Sequence, residues 1–189
     1  MKKIPTVFER VFEGHKIVDV LPRITPGCEE AFLHGVATLK MDGACCAIIN
    51  GQMYKRYDAK PGRKPPLGAI PCQMSPDPIT GHWPHWVQCS KDNHQDKYFF
   101  AAWNFYWGKH RMPDATYEAI GKHFNGNPYN LDYDTLYRHG ETKLFVDRDF
   151  EAVKKFLQDH TIEGIVFWLN GVPVCKIKRT DFGFDWGAK

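Results

Sequence analysis

No stretch of this sequence carries the about 18 consecutive apolar residues that a membrane-spanning helix needs, so no membrane span is expected. No charge of one sign dominates it either, since 25 Lys and Arg stand against 22 Asp and Glu for a formal net charge of +3. That balance permits an anionic partner without identifying one. The six cysteines, Cys28, Cys45, Cys46, Cys72, Cys89 and Cys175, form no C-x-x-C pair, and no secretory signal is evident. The pattern fits an intracellular setting with reduced, mostly buried thiols, and it points to no zinc site. Cys45 and Cys46 are adjacent in a predicted strand and should face opposite sides. His82 and His85 in GHWPHW have a tempting spacing, but Pro84 between them denies them a shared helix face. Internal repeats of long period and low-complexity tracts are also missing.

What is present suits one core. At 189 residues and 43% hydrophobic content, the expectation is a single domain over 1–189. Aromatics make up 14% of the chain and concentrate in Tyr98 to Trp107; core packing is the favoured reading, with base stacking the other use. Two hairpins stand out, Ala44 to Ile49 with Gln52 to Tyr57 and Gly164 to Leu169 with Val172 to Lys178. Each is joined by Asn-Gly, which supplies the positive φ angles of a type I′ turn. Arg148 to His160 places Phe150, Val153, Phe156 and Leu157 on one face, and Asp147 or Asp149 can cap that helix. Proline-rich Lys60 to Asp77 reads as a loop. Ser90 to Trp107 fits a helix or a strand. Strands with few long helices predict an α+β fold on antiparallel sheet.

The chemistry-bearing residues fall in order along these elements. Lys40-Met41-Asp42-Gly43 ends an apolar stretch and opens into the first hairpin. A lysine nucleophile must be neutral, which desolvation or nearby cations promote. Arg56 and Asp58 end the partner strand, Glu118 lies in TYEAIG, and Glu163 precedes Gly164-Ile165-Val166. In Lys176-Ile177-Lys178 the alternation of a strand puts both lysines on one face, able to reach the same phosphate chain. Glu118 and Glu163 offer hard oxygen ligands to Mg²⁺ or Mn²⁺, or acceptors for ribose hydroxyls. Taken singly, each has an ordinary surface reading, a turn for Lys40 and solvated charges for the others.

Together, K-M-D-G, YEAIG, E-G-I-V and K-I-K resemble motifs I, III, IV and V of the lysine nucleotidyltransferase superfamily of polynucleotide ligases and mRNA capping enzymes. KMDGACC, the R-x-D of Arg56 to Asp58, GHWPHW, FNGNPYNL, RHG, EGIVF and VCKIKRTDFG, spread from Leu39 to Gly183, are similar to a small animal- and viral-type family of ATP-dependent RNA ligases. That resemblance implies a nucleotidyltransferase domain that joins a 5′-phosphate to a 3′-hydroxyl of RNA through self-adenylylation. It makes Lys40 the carrier of AMP and sets Asp42, Glu118 and Glu163 around Mg²⁺ or Mn²⁺. Lys176 and Lys178 would hold the α-phosphate of ATP, and Glu118 would bind ribose or share the metal. Many ligases carry arginine two residues after the motif I glycine, where this chain has Cys45; Arg56 across the hairpin is expected to take over that contact. Gly43 completes the nucleotide-binding turn, and Tyr137 is the expected adenine-stacking residue. Asn125 and Asn127 are expected chiefly as turn residues.

No oligonucleotide-binding barrel is expected after the last motif, so RNA must be held by the core itself. Lys55, Arg56, Lys60, Arg63 and Lys64 form a basic loop suited to a terminal phosphate, and Trp83 and Trp86 offer stacking surfaces. The competing readings are another adenylyl- or guanylyl-transferring enzyme, a DNA ligase core, or a catalytically dead nucleic-acid-binding module.

Overall fold

The computed structural model describes residues 1–107 and 113–187, without the side chains of residues 106 and 107 that end the aromatic run. Its elements in chain order are β1 (Phe8–Glu13), β2 (Lys16–Ile24), α1 (Glu29–His34), β3 (Val36–Lys40), β4 (Ala44–Ile49), β5 (Gln52–Ala59), β6 (Ile70–Pro71) and β7 (Trp83–Gln88). There follow α2 (Lys97–Trp107), β8 (Ala115–Gly121), β9 (Asp134–Arg138), α3 (Phe150–Asp159), β10 (Gly164–Leu169) and β11 (Val172–Lys178). The architecture is α+β, with antiparallel pairing throughout the three sheets. Among the described residues no helix is long and apolar enough to cross a membrane.

The chain divides into two compact units, Met1–Lys3 with Asp42–His139, and Ile4–Met41 with Gly140–Gly187. The division falls inside K-M-D-G, after Met41. In the first unit six strands run in the order β6-β7-β5-β4-β8-β9. One face of this sheet buries Cys46, Ile48, Tyr117, Ala119 and Leu136, with Tyr98, Phe99, Phe100 and Trp103 of α2 packed against that core. Ser90 to Trp107 therefore resolves into a helix from Lys97, and its aromatics serve mainly as core. Asp96 just before α2 is buried and accepts from the Ser90 backbone N–H at 3.0 Å.

In the second unit β11-β10-β3 form a sheet of three strands and β1-β2 a ribbon of two. Val7, Phe32, Val153, Leu157, Ile165, Phe167 and Ile177 are fully or almost fully buried together. Burying one such side chain contributes about 1.5–3 kcal/mol. The Asn-Gly turns have the required backbone: φ is 50° and 68° at Asn50 and Gly51, and 50° and 76° at Asn170 and Gly171. Helix α3 begins at Phe150, and of the two candidate caps Asp149 is used, accepting from Ala152 N–H at 2.8 Å.

Candidate functional site

In the second unit, strand register brings three sequence-distant motifs side by side. Lys40 and Lys178 are both partners of Gly164, while Thr38 and Lys176 are both partners of Val166. Since Ala37, Ile165, Phe167, Cys175 and Ile177 face the core, Lys40, Lys176 and Lys178 share the opposite face. Glycine at 164 is required by space, because a Cβ there would run into the Ile177 carbonyl oxygen.

Glu163, one residue before β10, is only 4% exposed, and its carboxylate bridges the lysines. Lys40 Nζ donates to Oε2 at 2.6 Å, and Lys178 Nζ lies 3.3 Å from Oε1. The backbone of Lys176 is held on its outer side by the Pro5 carbonyl at 3.0 Å and the Val7 N–H at 2.7 Å. Lys178 N–H donates to Asp181 at 2.8 Å. A buried carboxylate is costly without partners, and here two ammonium groups neutralise it. The result is a lysine with a proton acceptor at contact distance and a second cation beside it.

In the first unit, the two faces of the six-stranded sheet sort the remaining candidates. Cys45 is the cross-strand partner of Glu118, and Glu118 of Tyr137. These residues stand on the face opposite Cys46, Tyr117 and Leu136. By the same alternation Arg56 joins Cys45 and Glu118, whereas Lys55, the partner of Cys46, turns to the α2 face. Arg56 is fixed by Asp58, with Nε at 2.8 Å and a second guanidinium nitrogen at 3.4 Å. Glu118 Oε2 meets His139 Nε2 at 2.8 Å. Burial first, and the Glu118 carboxylate second, push the Cys45 thiol up to about 12, partly offset by Arg56. On this face the buried Tyr137 hydroxyl and His139 Nδ1 have no hydrogen-bond partner among the described residues.

The second half of K-M-D-G is latched by FNGNPYNL. Asn125 Nδ2 donates to Asp42 Oδ1 at 3.0 Å and to the Gly43 carbonyl at 2.6 Å, and Asp42 N–H donates to the Tyr129 hydroxyl at 2.7 Å. A Cβ on Gly43 would strike the Ala119 carbonyl. Asn125 and Asn127 do adopt positive φ, 44° and 55°, and Asn127 closes its own turn through Leu131 at 2.9 and 3.0 Å. Asn125 therefore has a second role that the turn reading missed. Asn125, Tyr129 and His139 were visible in the sequence only as parts of FNGNPYNL and RHG; the available signal for His139 was its spacing of two from Tyr137.

The candidate RNA contacts do not stay together. Lys55, the cross-strand partner of Cys46, is tied to buried Asp96 at 2.5 Å on the α2 face, and Asp96 would lose its counter-charge if Lys55 turned away. Trp86 is only 6% exposed, which leaves it too little free surface for base stacking. Trp83 is half-buried and donates through Nε1 to the Gln73 carbonyl at 2.9 Å. Lys60, Arg63 and Lys64 are exposed. His85 is buried, with Nδ1 at 2.8 Å from the Trp83 carbonyl, and among the described residues neither it nor His82 joins a cluster of metal-ligating side chains. Comparison with protein-family models and with curated proteins yields no match.

Proposed function

We propose that the chain is an ATP-dependent RNA ligase with a nucleotidyltransferase fold, carrying AMP on Lys40. The observation that supports this reading is the contact of Lys40 Nζ with Glu163 at 2.6 Å, with Lys178 on the other carboxylate oxygen. That contact sets Lys40 beside the glutamate before G-I-V and the last lysine of K-I-K, an arrangement that supports adenylyl transfer to Lys40.

The Lys40 ammonium first gives up a proton, for which Glu163 is the nearest acceptor. The neutral amine attacks the α-phosphorus of ATP; the N–P bond forms, the bond to the bridging oxygen breaks, pyrophosphate leaves, and the amine loses a second proton to water. Lys176 and Lys178 balance the charge that develops on the α-phosphate oxygens. An oxygen of the RNA 5′-phosphate then attacks the same phosphorus, the N–P bond breaks, and Lys40 takes back its protons. Finally the RNA 3′-hydroxyl attacks the 5′-phosphorus, AMP departs, and the hydroxyl proton goes to solvent. The resemblance assigns Asp42 and Glu163 to Mg²⁺ or Mn²⁺; carboxylate oxygens suit such an ion, which would supply charge neutralisation of the triphosphate. Toward the nucleotide, the resemblance assigns Glu118 to ribose or metal, Arg56 to phosphate or ribose, and Tyr137 to adenine.

Incubation with labelled ATP or GTP and Mg²⁺ or Mn²⁺, followed by denaturing electrophoresis, tests the reading. ATP should label the protein covalently and Lys40→Ala should abolish the label. Labelling by GTP alone points to a guanylyltransferase, and label on another residue removes Lys40 from its role.

A further inference from the structure

We propose that Cys45, Glu118 and His139 form a binding site for a divalent transition metal of the zinc type. The proposal does not depend on the reading of Lys40. Cys45 and Glu118 lie on adjacent strands and His139 directly follows β9, all within one unit. Cys45 and Glu118 are directly opposed across β4 and β8. His139 lies two residues beyond Tyr137, the partner of Glu118 on β9, and its N–H still reaches the Thr116 carbonyl at 3.1 Å. Side chains opposed across neighbouring strands, and those two residues further along, stand on the same face within reach of one another. One ligand atom from each residue lies within 4.8 Å of the other two. A tetrahedral ion ~2.0–2.3 Å from each ligand would space those atoms ~3.3–3.6 Å apart, so rotamer adjustments of about an ångström close the site.

The donor set selects the metal. Sulfur, imidazole nitrogen and one carboxylate suit Zn²⁺ or Co²⁺, whereas Mg²⁺ prefers oxygen donors alone. Three protein ligands leave a fourth position for water or a ligand, as in zinc sites that are not purely structural. His139 supplies a second argument, because its buried Nδ1 has no hydrogen-bond partner among the described residues while Nε2 contacts Glu118. A buried ring nitrogen left unsatisfied has a reason to be there if it, or its partner nitrogen, takes a metal. Of the cations near Cys45, Arg56 is paired with Asp58, and the N-terminal ammonium is a second.

The full chain, reduced and stripped of metal with a chelator, should be titrated with Co²⁺. Expected are the visible bands of a four-coordinate ion and a near-ultraviolet thiolate-to-cobalt charge-transfer band, both abolished by added Zn²⁺ and retained in excess Mg²⁺. Cys45→Ser should lose the charge-transfer band, and Cys45→Ser, His139→Gln and Glu118→Gln should each weaken Zn²⁺ binding by at least about 100-fold. Cys28→Ala, in the other unit, should leave the spectrum unchanged. Circular dichroism checks that each variant is folded, and Glu118→Gln, which keeps shape and removes only charge, tests the site should either other variant unfold. Absence of the charge-transfer band in the unaltered chain, or its persistence in folded Cys45→Ser, overturns the proposal.

Discussion

Glu163 occupies the point where two lysines would otherwise face each other without a counter-charge. Its carboxylate is 4% exposed, and the Lys40 and Lys178 side chains are 20% and 38% exposed. Glu163→Gln keeps the shape but removes the acceptor proposed for the Lys40 proton and the charge between the ammonium groups. Self-adenylylation should fall by about 100-fold or more, read as the initial rate of covalent labelling. The same variant should melt at lower temperature than the parent, because unpaired buried or half-buried charge is destabilising. Normal labelling by folded Glu163→Gln would remove Glu163 from the chemistry.

At the scale of elements, the β3-β10-β11 ribbon works because its middle strand starts with glycine. Gly164→Ala would push a methyl group against the Ile177 carbonyl and force β10 away from β11, where Lys178 is anchored. Labelling should drop, and hydrogen exchange should rise in β10 and β11 while the six-stranded sheet keeps its protection; unchanged exchange in these strands would mean that the ribbon tolerates the methyl group. The six-stranded sheet has a different sensitivity. Burial pushes the Cys89 thiol up to about 12, with Asp96 adding to it, and holds Cys46 well above the ordinary thiol value. The native state thus keeps protons that an unfolded chain, with thiols near 9.0, releases. Stability from this source is complete below about pH 9 and declines as pH rises toward 12. Melting temperatures measured from pH 8 to pH 11 should fall over that window, and Cys89→Ala should fall less steeply; equal slopes would assign the loss to other groups.

At the scale of the whole molecule, formal charge is close to balanced, so on the proposed reading RNA contact would rest on local clusters, among them exposed Lys60, Arg63 and Lys64. Sealing of 5′-phosphorylated RNA to a 3′-hydroxyl should decline steeply with salt. Arg63→Glu with Lys64→Glu should reduce sealing several-fold more than self-adenylylation; equal losses would place this loop at the ATP step instead. The sequence by itself determined what depends on neighbours in the chain: the two Asn-Gly hairpins, the apolar face of α3 with an aspartate cap at Asp147 or Asp149, and the shared side of Lys176 and Lys178. Each follows from a period of two, a period of 3.6, or a turn that demands positive φ. Tertiary structure alone decided that Glu163 meets Lys40 across 123 positions, that Lys55 turns to Asp96, and that Cys45, Glu118 and His139 converge. Pairing between strands far apart in the chain is chosen by how their apolar faces pack, and a shift of one residue would send every side chain to the other face. Local pattern carries no record of that choice.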